Sequence, residues 1–135
     1  MKELRVGAEI KNVRTVTEFI DKLLEEHNCN LKAQMQIDIA IDELFSNISR
    51  YAYVPDTGTV DVKVEMTENP KKVKITFADS GTPYNPLETP EPDITLSAED
   101  REIGGLGIYM VKKTMDDMIY EYKDGQNILS IVKNI

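Results

Sequence analysis

Apolar side chains recur along this chain with two periods, and the change from one to the other divides it into elements. Leu4, Val6, Ala8 and Ile10 occupy every second position, the period of a half-buried strand. From Val13 onward the spacing becomes helical. Val13, Val16, Ile20, Leu23 and Leu24 share one face, with Asn12 placed to cap the helix and an end near His27 and Asn28. Asn30 opens a longer helix from Leu31 to Tyr53, LKAQMQIDIAIDELFSNISRYAY. At about 100° per residue, Ile37, Ile41, Leu44, Phe45 and Ile48 form an apolar stripe along it. Glu43 and Asn47, four residues apart and so stacked on one side, lie at the edge of that stripe.

Pro55, Asp56 and Gly58 stop the long helix, and alternation returns at Val60, Val62, Val64 and Met66. Glu68-Asn69-Pro70 turns the chain into a second strand through Val73, Ile75 and Phe77, which runs into Asp79-Ser80-Gly81. Ser80 to Glu102 then holds four prolines, six acids and one base, Arg101. A segment of that length is expected to be a lid or binding loop, with Ser97 and Asp100 capping a short turn inside it. Gly104-Gly105-Leu106-Gly107 leads into a helix reading IYMVKKTMDD, expected to pack through Leu106, Met110, Val111 and Met115. Ile119 to Tyr122, a turn at Asp124-Gly125, and Ile128 to Val132 form a closing hairpin. The order β-α-α-β-β-loop-α-β-β predicts a single domain over residues 1–135. Its fold class is α+β, a two-layer sandwich with a largely antiparallel sheet and three helices on one face.

Composition narrows the chemistry. The 135 residues suit one domain with one substantial core. Cys29 and His27 are the only cysteine and histidine, so no disulfide, cysteine-rich metal site or cysteine–histidine catalytic centre is expected; both read as loop residues. A net charge of −8, from 24 acids and 16 bases, argues against direct nucleic-acid binding. No run is long and apolar enough to cross a bilayer, and MKELRVGAEI has no secretory core, so a cytoplasmic protein with no membrane partner is expected. An acidic chain that binds a polyphosphate has to do so with backbone N–H groups and a divalent cation.

Three local patterns suit such a ligand. A glycine-rich turn opening a helix, here Gly104 to Gly107, lets backbone approach a phosphate and points unpaired N–H groups at it. Asp79 at a strand end can accept from an exocyclic amine, with Gly81 leaving room for a flat ring. The Asn47 oxygen is a hard ligand for Mg²⁺, and Glu43 one turn away can orient or deprotonate a nucleophile. Each pattern alone also has a plainer reading: exposed helix residues, an ordinary turn, and a packing glycine.

In this order the patterns resemble the Bergerat-fold (GHKL-type) ATP-binding family shared by gyrase, histidine kinases and a heat-shock chaperone. Within it the chain is similar to small bacterial anti-sigma-factor serine kinases, over nearly its whole length. IDELFSNISRYAY matches the N-box, which implies Glu43 as catalytic base and Asn47 as the Mg²⁺ ligand. DSG matches the first glycine box, with Asp79 reading adenine beside Gly81, and GGLGIYMVKKTMDD matches the second, with Gly104, Gly105, Leu106 and Gly107 at the phosphates. GQNILSIVK is similar to the family's last strand. Pro83 stands where a glycine is often found, Tyr51 where a histidine is often found, and Ile103 where some kinase members carry arginine. The resemblance implies a protein that uses ATP and Mg²⁺ to phosphorylate a serine on a small antagonist protein. It further implies a sigma factor as binding partner and a homodimer formed through the first strand and helix. The alternatives are a nucleotide-gated switch that binds its partner without phosphorylating it and, behind that, a detached histidine-kinase catalytic domain.

Overall fold

The computed structural model describes residues 1–88 and 105–135. Five strands form one antiparallel sheet in the order β1-β2-β3-β5-β4, where β1 is Lys2–Gly7, β2 Thr59–Thr67, β3 Lys72–Asp79, β4 Asp117–Lys123 and β5 Gln126–Asn134. The described helices are α1 (Val13–Glu26), α2 (Leu31–Tyr51) and α3 (Gly105–Thr114), with short 3₁₀ turns at Ile10–Asn12 and Pro86–Glu88. The expected α+β two-layer architecture and its antiparallel sheet are what the chain adopts.

The period-two pattern explains the register. Val62, Phe77 and Leu129 pair across β2, β3 and β5, as do Val64, Ile75 and Ile131 in the next row. All six are buried, and they form one cluster with Val16, Ile20 and Leu24 of α1, Ile37, Ile41, Leu44 and Phe45 of α2, and Ile108 and Val111 of α3. The helices therefore cover one face of the sheet, each through its apolar stripe. On the other face Arg5 and Asp61 make a two-bonded ion pair and Thr76 bonds Ser130 at 2.8 Å. The same alternation carries Asp79 and Asn127, a register pair, onto the helix-covered face at the end of the inner rows.

Four expectations need correction. Ile10 leaves the strand, which ends at Gly7, and is exposed in the 3₁₀ turn. Asn12 does not cap α1 through its side chain, because its Nδ2 donates to the Gly7 carbonyl at 2.9 Å and ties the strand end to the helix start. Met110 is exposed, whereas Ile108, Val111 and Met115 at i, i+3 and i+7 form the buried stripe of α3. That helix also stops at Thr114 rather than running to Asp117. Lys133 Nζ bonds the Thr114 carbonyl at 2.7 Å and the Asp116 N–H joins Val132 of β5 at 2.9 Å, so the sheet takes the chain over. By contrast, Asn30 caps α2 as expected, accepting from the Ala33 N–H at 2.8 Å.

Two acidic side chains, Asp21 and Asp38, are neighbours between the first two helices. The Oδ1 atoms of Asp21 on α1 and Asp38 on α2 are buried with no donor among the described residues. Burial, reinforced by the neighbouring carboxylates of Asp21 and Glu25, pushes the Asp38 carboxyl up to about 7. A carboxyl raised in the folded state holds its proton there and releases it on unfolding. Its stabilising effect is therefore complete below the ordinary carboxylate range, near pH 4, and is lost as pH rises through about 7. Asp38→Asn is expected to flatten that dependence and to raise Tm at pH 8 by about 3 °C. Thermal melts from pH 5 to 8 check it, and an unchanged slope refutes the assignment.

Candidate functional site

α2 brings Glu43 and Asn47 to the edge of the helix layer as its periodicity requires. Both are partly buried, and the Asn47 Nδ2 donates to Glu43 Oε1 at 3.3 Å. That bond uses one of the amide's two N–H donors, and no described residue donates to the Asn47 oxygen. α3 begins beside this pair. A Cβ built at Gly107 would collide with the Glu43 carboxyl group, so glycine is required there for the carboxylate to lie flush against the first turn of α3. Glu43 on α2 and Gly107 on α3, far apart in sequence, are thus in contact. Gly105 is the first residue of α3; Gly104, with Arg101, Ile103 and the expected Ser97–Asp100 cap, lies outside the described residues, as does the side chain of Leu106.

Asp79 ends β3 on the helix-covered face and is 4% exposed. Its Oδ1 accepts from the Gly81 N–H at 2.9 Å and from Asn127 Nδ2 at 3.0 Å, leaving Oδ2 as the oxygen to which no described residue donates. Gly81 is pressed against the backbone of Ala52, just past α2, where any side chain would collide. The Thr82 N–H bonds the Ala52 carbonyl at 2.7 Å. The loop after β3 is therefore carried on the end of the helix that bears Glu43 and Asn47.

Asn127 is the residue that sequence reasoning missed. It is buried at the start of β5, and its Oδ1 accepts from the Tyr84 N–H at 3.0 Å and the Tyr120 hydroxyl at 2.5 Å. Its Nδ2 donates to Asp79 and, at 3.0 Å, to the Thr82 carbonyl. With both acceptor positions filled by N–H and O–H donors, the amide has one orientation, the one that directs a donor at Asp79. Burial raises the Tyr120 phenol above its ordinary value, which keeps that donor neutral. The signal was present in the phase: Asn127, Leu129 and Ile131 alternate, so a polar residue falls on the apolar side of β5. The segment after Tyr84 is tethered further on, where Lys112 of α3 bonds the Leu87 carbonyl at 2.9 Å.

The donor set fits a magnesium–polyphosphate ligand. Asn47 supplies a hard neutral oxygen, the glycine at 107 lets the Glu43 carboxylate lie against the helix, and a helix start carries N–H groups without intrahelical partners. Asp79 is almost fully buried and its Oδ2 accepts from no described residue, which suits one amine hydrogen.

Known proteins are similar to this chain in sequence. Serine/threonine-protein kinase BtrW of Bordetella bronchiseptica is 23% identical over 103 residues, covering 76% of this chain and 72% of that protein. Serine-protein kinase RsbW of Bacillus thuringiensis is 30% identical over 95 residues, covering 67% of this chain. The chain spans 58% of the length of that relative. A crystal structure of the RsbU and RsbW domains of a Mycobacterium tuberculosis protein superposes over 99% of this chain and 32% of its own, with a TM-score of 0.69 at 17% identity, a likeness of fold. Among the described residues no helix is long and apolar enough to cross a membrane. Residues 6–133 match the histidine kinase-like ATPase domain, and the chain belongs to that family.

Proposed function

We propose that residues 1–135 act as one ATP-binding domain of an anti-sigma-factor type, a serine kinase that phosphorylates a small antagonist protein and otherwise holds a sigma factor. The observation that carries this reading is the joining of Glu43, Asn47 and Gly107 on one surface, together with a buried Asp79 whose Oδ2 accepts from no described residue. Asp79 accepts from the adenine amine, Gly81 lets the loop after Asp79 lie against Ala52, and Gly105 and Gly107 place backbone N–H groups at the phosphates. Asn47 holds Mg²⁺, whose contribution when bound is to neutralise phosphate charge. Glu43 takes the proton from a serine hydroxyl of the partner. The serine oxygen bonds to the γ-phosphorus, the bond from that phosphorus to the bridging oxygen breaks, and ADP leaves. BtrW and RsbW, kinases by name, support the reaction class. Pairing of two copies through β1, an edge strand, and α1 belongs to the same reading.

The test is incubation of the protein with γ-labelled ATP and each small protein encoded beside it. Label on a serine of one of them is the expected result. ATP-dependent complex formation with no label instead selects the nucleotide-gated binding switch, and no ATP binding at all refutes both.

A further inference from the structure

The loop that follows Asp79 is fixed to the residues just beyond α2 by a side chain for which the function above has no use. Tyr53 stands two residues beyond the last residue of α2, and its hydroxyl accepts from the Ser80 N–H at 2.7 Å while donating to the Thr59 carbonyl at 2.7 Å. The ring has little room to swing, because Gly58 packs against it so closely that any Cβ there would overlap the ring atoms. Ser80, Gly81 and Thr82 thus have their three successive N–H groups taken by Tyr53, Asp79 and Ala52. Two of those acceptors belong to the residues that directly follow α2.

We infer that Tyr53 is a positioning residue for nucleotide selectivity: its hydroxyl locks Ser80, and through Ser80 the carboxylate of Asp79, at a fixed offset from Asn47 on α2. The inference rests on the proposed nucleotide site and extends it to a residue outside the ligand's reach. A base-reading group has to be held within fractions of an ångström relative to the groups that hold the phosphates, because the two ends of one ligand are read together. A phenol that both accepts and donates is the side chain able to bridge an N–H on one segment to a carbonyl on another. Phenylalanine preserves the ring's packing and removes only that bridge.

Tyr53→Phe is therefore expected to stay folded, with Ser80 amide exchange faster by about tenfold and amides of β5 unchanged. Its Kd for ATP is expected to rise about tenfold while that for GTP moves less than about twofold, so selectivity collapses. Gly58→Ala, which displaces the ring and keeps the hydroxyl, is expected to reproduce the lost selectivity. Wild-type protein that binds no ATP overturns the function proposed above together with this inference. Wild-type protein that binds ATP, with a folded Tyr53→Phe variant of unchanged ATP-to-GTP ratio, overturns the inference alone. Loss of stability with selectivity intact overturns it as well, since it marks Tyr53 as merely structural.

Discussion

Glu43→Gln is expected to bind ATP as the parent does and to lose phosphoryl transfer by about 10²–10⁴-fold. Glutamine has the shape of glutamate and still offers an oxygen to the Asn47 amide, so the 3.3 Å contact and the packing against Gly107 persist. What disappears is the group that can accept the serine proton. A second variant attacks the same atom from the other side. Gly107→Ala sets a methyl group where the Glu43 carboxylate now lies, and the carboxylate, at the end of a flexible side chain, is what moves. The fold is expected to tolerate that shift while transfer drops, because a base displaced by about 1 Å loses much of its effect. Single-turnover transfer of label, with nucleotide affinity measured separately, checks both variants. Transfer within twofold of the parent in Glu43→Gln removes Glu43 as the base. Retained transfer in Gly107→Ala alone shows that the carboxylate finds another path to the hydroxyl.

The parts of this site that could be read from sequence are those set by local period. Glu43 and Asn47 follow from counting along α2, and Asp79 on the helix-covered face follows from the alternation Val73, Ile75, Phe77. The meeting of Glu43 with Gly107 rests on how α2 and α3 pack, and no count along one element yields that. Asn127 was hidden for a related reason: beside Asp124-Gly125 it reads as a turn residue, and only the register with Asp79 shows what it faces. Tyr53 reads as the last residue of a helix that in fact ends at Tyr51, and its two partners lie 6 and 27 residues away. Asn12 and Met110 fail in the opposite sense. Each matched a local rule, capping for one and core filling for the other; Asn12 instead bonds the Gly7 carbonyl, and Met110 is left exposed because Ile108, Val111 and Met115 take the buried side.

Asn47→Ala is expected to abolish the Mg²⁺ dependence of ATP binding, lowering affinity in Mg²⁺ by on the order of 10–100-fold with little change in EDTA. Alanine is the best helix former and the position is only partly buried, so α2 is expected to stay intact. The substitution removes two things, the oxygen offered to the cation and the N–H given to Glu43. Asn47→Asp separates them, because aspartate keeps an oxygen ligand and loses the donor. Under the metal assignment, the aspartate variant recovers the Mg²⁺ dependence that the alanine variant lacks, while its carboxylate faces Glu43 and impairs phosphoryl transfer. If the amide instead serves only to orient Glu43, neither variant recovers transfer and both keep the parent's Mg²⁺ response. Calorimetric titration of ATP with and without Mg²⁺ distinguishes the two. An alanine variant whose Mg²⁺ response equals the parent's excludes Asn47 as the metal ligand, because removing a ligand oxygen has to weaken the cation's contribution to ATP affinity.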